Sequence, residues 1–220
     1  MLKNISIWRT LCPDYEIKEW NEDNFDITEL PYTQIAYEKN NYAYVSDVAR
    51  LYALMQDGGI YLDTDVQLLK SFNSFLSSIC FVGFERKSSI GTCMIAAEKG
   101  CSFIKDFYNV YRKLRTYPSI MQPNTFIAFR LLKEKGLVDD NSFQRLVDYC
   151  DIYPKDYFTG KDFETGKIMK TKNTVCIHHF SATWLPFYTR IELKFWNFFG
   201  MKNQNIIRNV GRIVKSITKK

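Results

Sequence analysis

Between Tyr44 and Val66 the spacing of apolar residues changes period once, and that change organises the reading of the whole 220-residue chain. Val45, Val48, Leu51, Tyr52 and Met55 recur at steps of three and four, which predicts a helix with one buried face. Ser46 is placed to cap it, or Asn40 or Asn41 starts it earlier. Gly58 and Gly59 then supply the left-handed backbone that ends a helix cheaply. From Ile60 the period is two. That predicts a strand with Ile60, Leu62, Thr64 and Val66 on one face and Tyr61, Asp63 and Asp65 on the other.

The same patterns predict elements along the rest of the chain. Leu2–Leu11 has the spacing of a short amphipathic helix, with Ile5, Trp8 and Leu11 on one side. Tyr15–Trp20 alternates and predicts a strand. Ile79–Phe84 and Gly91–Ala97 are apolar runs of strand length. Phe103, Phe107 and Tyr111 fall at helical spacing and predict core packing. A further helix is expected over Phe126–Lys135, stopped at Gly136. Near the C-terminus, Ile206, Ile207, Val210, Ile213, Val214 and Ile217 form a stripe, with Arg208, Arg212, Lys215 and Lys219 between them.

Composition narrows the class. With 46% hydrophobic and 16% aromatic residues, the chain suffices for one domain with a full core. No apolar run approaches the roughly 20 residues of a membrane span, and the N-terminus lacks a signal peptide's apolar centre. Six scattered cysteines without CxxC spacing predict reduced thiols in a cytosolic protein rather than a zinc site. The net charge is +6, but Pro186–Lys220 holds eight Lys or Arg against one Glu. The basic surplus therefore belongs to the tail, which argues against nucleic acid as a partner.

The chemistry centres on the end of the predicted strand. Asp63 and Asp65, two apart on one face, repel each other unless a cation lies between them, and carboxylates suit a hard ion such as Mn2+ or Mg2+. Asp47 and Arg50 share a face of the preceding helix, which on its own also fits a surface ion pair. The chain's two histidines, His178 and His179, are adjacent after the apolar Val175–Ile177. On a strand they face opposite ways, so one reaches a metal easily. His179 is favoured for that place, with His178 the alternative.

The ordered set Ser46, Asp47, Arg50, Leu54, Gly58, Gly59, Ile60, Tyr61, Asp63 and Asp65 resembles the DXD-containing sugar transferases of glycosyltransferase family 32. The resemblance implies a single α/β domain of GT-A type over residues 1–185, a central mixed sheet flanked by helices, and a separate basic tail over 186–220. It implies Asp47, Arg50, Asp63 and Asp65 as catalytic residues. Tyr61, Asp63, His178, His179, Thr183 and Trp184 are implied around the donor, and Asp63, Asp65 and His179 on the metal. The expected reaction moves a sugar, with retention, from a nucleotide-sugar (UDP favoured, GDP an alternative) to a saccharide or lipid-linked acceptor in surface polysaccharide synthesis. Gly91–Tyr111 resembles the family's acceptor-side segment. Relatives carry a strand some thirty residues upstream of the one that Tyr15–Trp20 resembles, so either the native start is expected upstream of Met1 or the chain lacks an edge of its nucleotide pocket and binds the base more weakly. The tail either packs on the domain or lies on an anionic membrane, making the protein cytoplasmic and peripheral on the inner face. The rival readings are a metal-dependent nucleotide-sugar hydrolase and a non-catalytic nucleotide-sugar binder.

Overall fold

The computed structural model describes residues 2–114, 123–163 and 165–181. Its centre is a five-stranded mixed sheet in the order β1-β4-β3-β6-β5, built from β1 (Gly59–Leu62), β3 (Cys80–Arg86), β4 (Ser89–Ala97), β5 (Gln144–Leu146) and β6 (Cys150–Tyr153). β4 runs antiparallel to β1 and β3, and β6 runs parallel to β3. The carboxyl ends of β1, β3 and β6 therefore lie along one edge of the sheet. A second sheet pairs only β2 (Val66–Leu68) with β7 (Cys176–His178). This is the expected α/β architecture.

Two apolar layers sandwich the large sheet. On one face lie α2 (Pro31–Glu38), α3 (Tyr42–Gln56), α4 (Ser102–Arg112) and α5 (Asn124–Glu134), packed on Val82, Phe84, Ile90, Ile95 and Ile152. On the other lie α1 (Leu2–Leu11), the small sheet, Phe72, Phe75 and the short α6 (Lys155–Phe158), packed on Phe81, Met94 and Ala96. Covered on both faces, β3 and β4 are near-continuous apolar runs, as buried central strands must be. Phe103, Phe107 and Tyr111 are core residues, and Gly136 with φ of 102° follows α5. All six cysteines are free and buried, and no helix among the described residues is long and apolar enough to cross a membrane.

Three expectations are corrected. Tyr15–Trp20 is irregular and belongs to no sheet. Its alternation comes from packing Tyr15 and Ile17 on one apolar cluster and Trp20 against Tyr52, not from a ladder. Ser46 does not cap α3, which takes the earlier of the two expected starts, at Tyr42 after Asn41; the Ser46 Oγ donates instead to the Ala43 carbonyl at 2.7 Å. The segment Ile60–Val66 is not one strand. It divides into β1 and β2, which belong to different sheets, with a turn at residues 63–65. Thr183, Trp184 and the tail from Pro186 onward lie outside the described residues.

Candidate active site

α3 brings a buried cation to the carboxyl edge of β1. Arg50 is 5% exposed and its neighbour Asp47 8%, so this is not the surface pair that spacing alone allows. The Arg50 guanidinium is fully engaged. It donates to the Thr92 carbonyl at 2.7 Å, the Ser46 carbonyl at 3.1 Å and Ser46 Oγ at 3.2 Å. It pairs with Asp47 at 3.1 Å and Asp63 at 3.5 Å, and lies 4.8 Å over the Tyr61 ring. Asn124, from the first turn of α5, donates its amide to the Asp47 carboxylate. One cation thus fixes two carboxylates and ties α3 to β1 and β4.

The turn after β1 carries the paired acids. Asp63 N donates to the Cys93 carbonyl at 2.8 Å, holding the first acid on the large sheet, and Val66 N closes the turn on the Asp63 carbonyl at 2.9 Å. Asp63 Oδ1 accepts from Tyr61 Oη at 2.7 Å, which fits the shared face of residues 61 and 63. Asp65 stands over the small sheet. Its carbonyl accepts from His179 N, and its Oδ2 accepts from Ser181 N at 2.7 Å.

The register of β2 against β7 decides between the two histidines. Val66 faces His178 across the ladder. His178 Nε2 lies 3.3 Å from Asp65 and 3.9 Å from Asp63. His179 points the other way, with Nε2 2.9 Å from Gln67 Oε1. The preference for His179 as the ring facing the carboxylates is therefore reversed, because neighbours on a strand alternate and pairing puts 178 inside. Phe180 lays its ring 4.0 Å from that of His178, using a left-handed backbone (φ 53°) that is uncommon for a bulky residue. One donor atom each from Asp63, Asp65 and His178 lie within 4.8 Å of one another.

Residues 1–82 match the family model of the glycosyltransferase sugar-binding region containing DXD motif. No curated protein and no solved structure matches the chain. The matched stretch contains Asp47, Arg50, Tyr61, Asp63 and Asp65 and ends inside β3; His178 lies beyond it.

The electrostatics separate the site's members. Burial pushes the Asp47 carboxyl up to about 7; Arg50 opposes this, and the nearby Asp63 reinforces it. Burial also works against the Arg50 charge, but Asp63, Tyr61 and Asp47 together hold it above the ordinary arginine range. Tyr61 is raised, first by burial. For Asp65, burial is outweighed by the hydrogen bond and charge of His178 and by Ser181, leaving its carboxyl well below the usual range. His178 is raised despite burial, through Cys93 and Asp65.

These residues fit a divalent ion. Two carboxylates and an imidazole form a three-donor set, hard at its oxygens, and the surrounding acids outnumber the one buried arginine. His178 Nδ1 is buried without a hydrogen-bond partner among the described residues, so the carboxylates, Cys93 and Phe180 position the ring. A proton on His178 and a metal ion are alternatives at the same three atoms, since a ligating imidazole must be neutral. Sequence reasoning missed Gln67, Thr92, Asn124, Phe180 and Ser181. Only Asn124 carried any signal, from Pro123 at a helix start; the others depend on the three-dimensional register.

Proposed function

We propose that this protein is a metal-dependent glycosyltransferase that moves a sugar from a nucleoside-diphosphate sugar to a saccharide or lipid-linked acceptor. The observation carrying this reading is the convergence of Asp63, Asp65 and His178 beside the buried Asp47–Arg50 pair, in a chain whose first 82 residues match a DXD sugar-binding region. Asp63, Asp65 and His178 would hold Mn2+ or Mg2+, which when bound offsets negative charge developing on a departing diphosphate. Asp47 accepts hydrogen bonds from donor-sugar hydroxyls, aimed by Arg50 and Asn124. Arg50 holds Asp63 in place while Tyr61 occupies its Oδ1, which leaves Oδ2 facing the metal position. Ser181 N fixes Asp65 in the same way from the other side.

In this reading UDP is the favoured nucleotide and GDP the alternative. Thr183 and Trp184 close over the diphosphate, and the catalytic domain spans 1–185. Retention of configuration, a role in surface polysaccharide synthesis, and cytoplasmic residence with the basic tail on an anionic inner membrane face complete the proposal. Calorimetry of UDP and GDP with and without Mn2+ tests it, in the wild type and Asp65→Ala. Affinity should require metal and fall at least about 100-fold in the variant, beyond the 10–100-fold expected even for an outer-shell change. Equal, metal-independent affinity in both proteins would refute it. Release of free sugar from the donor without transfer to any saccharide would favour a hydrolase instead.

A further inference from the structure

A second feature lies on the same sheet edge. A cleft of about 460 Å³ opens beyond the carboxyl ends of β3 and β6, within the range of small-ligand sites. Glu85 and Arg86 from the end of β3, Lys87 after it, Asn141, Lys155 and Phe163 are among its lining residues. Most of its polar groups are already committed. Asp139 accepts from Ser88, Asp140 from Ser142, and Asp162 from Lys155 at 2.9 Å. Glu85 is different. Its side chain is only 10% exposed, it makes no hydrogen bond among the described residues, and Arg86 is no closer than 3.9 Å. A carboxyl group this largely buried, facing an open cleft with Arg86 as a distant ion-pair partner and no hydrogen-bond donor among the described residues, is a group placed to take a donor from a ligand.

Position links this carboxyl to the aspartate–histidine site. The face of β3 opposite Phe84 carries Glu85, and Gly91 of β4, free of a side chain, lies under it: a Cβ built at 91 meets Glu85 Cβ at 3.7 Å. The charged groups that act on Glu85 are His178, Arg86, Lys155 and Asp63, so it lies within electrostatic reach of both sites. An aromatic wall joins them: Phe180 packs on His178 at 4.0 Å and on Phe163 at 5.1 Å, and Phe163 lines the cleft. By contrast, every residue of β4 is buried, which leaves no open surface along the strand half of the Gly91–Tyr111 segment.

We infer that this cleft is the acceptor subsite, that it takes an uncharged saccharide, and that Glu85 accepts a hydrogen bond from the hydroxyl presented to the donor sugar. The inference rests on the transferase reading above for the word acceptor, but the saccharide site stands on the cleft itself. Its chemistry suits a neutral polyol: Phe163 supplies an apolar surface, Glu85 accepts, and Arg86, Lys87 and the Asn141 amide donate. Acidic and basic groups alternate around it, which favours neither a phosphate-bearing headgroup nor an acidic peptide.

The test uses amide NMR of the full chain, first with UDP and Mg2+, then with methyl glycosides of glucose, galactose, mannose and N-acetylglucosamine as probes. At least one glycoside should perturb residues 85–87, 139–141 and 163. Its affinity should fall about tenfold in Glu85→Gln, the loss of a charge-assisted hydrogen bond. The UDP–Mg2+ response around residues 63–65 and 178 should be unchanged in that variant. Lys87→Ala, on an exposed rim residue, provides a second reading if Glu85→Gln folds poorly, and should also weaken the glycoside. Perturbation elsewhere, no response to any glycoside, or full affinity in both variants overturns the inference. Glycoside binding in the cleft without any UDP–Mg2+ response supports the saccharide site and counts against the transferase reading.

Discussion

Asp63 and Asp65 stand in one turn, yet they are held by different halves of the molecule. Asp63 belongs to the large sheet: Arg50, Tyr61 and the Cys93 carbonyl fix it, all from α3, β1 and β4. Asp65 belongs to the small sheet: His178, His179 N and Ser181 N fix it, all from a segment more than a hundred residues later. The first is part of a buried charge network that holds elements together. The second is set by a short edge ladder and backbone donors. A single turn thus places an acid locked in a buried charge network beside one held by a single imidazole and backbone donors, and stability and ligand binding should respond to them differently.

The largest expected effect is on the Asp63 side. Arg50→Ala leaves Asp47 and Asp63 without their shared cation and should cost about 3–5 kcal/mol in urea unfolding, the range for breaking a buried pair. Asp65→Ala should cost less, about 1.5–3 kcal/mol, the range for losing hydrogen bonds to a charged group, because its partners are one imidazole and a backbone N–H rather than a shared guanidinium. Equal destabilisation by the two variants would erase the distinction.

Next in size is a pH effect. The Asp47 carboxyl titrates at about 7 in the fold against 3.8 as a free group, so between these values the folded chain holds the extra proton. Stability should therefore be greatest near pH 4 for this group and fall as pH rises to 7, by roughly 2–4 kcal/mol. Asp47→Asn should flatten that slope. Urea midpoints across the range check it, and a slope unchanged in the variant would show that Asp47 is not the group responsible.

A smaller effect sharpens how the Asp63 side is anchored. Gly58 has φ of 70°, and a Cβ there would meet Lys99 N at 2.6 Å, whereas one at Gly59 (φ 98°) meets nothing within 4 Å. Gly58→Ala should lower stability by about 2–3 kcal/mol and Gly59→Ala by about 1 kcal/mol, backbone strain alone. Thermal melts of the two variants test the ordering.

The same contrast explains what the sequence made legible. Everything that fixes Asp63 comes from one contiguous stretch plus β4, so a helical period, a glycine stop and a period of two were enough to put Asp47 and Arg50 on one helix face and Tyr61 and Asp63 on one strand face; that the two faces meet was implied only by the family resemblance. The break between β1 and β2 was not legible, because Thr64 and Val66 continue the alternation through the turn. Only the ladder to β7 shows that the chain has changed sheets. His178 over His179 was likewise hidden, since alternation says that neighbours diverge but not which faces inward. Tyr15–Trp20 shows the reverse failure, an alternation satisfied by two apolar clusters with no strand beside it.

The central claim is that Asp63, Asp65 and His178, brought together from the two sheets, form a metal-dependent nucleotide site. It is tested most directly by UDP calorimetry in Mn2+ with His178→Ala and His179→Ala side by side. The geometry predicts that His178→Ala weakens metal-dependent affinity at least about tenfold, while His179→Ala, which loses only its contact with Gln67, stays within about threefold. Loss of affinity in His179→Ala with His178→Ala intact would contradict the account.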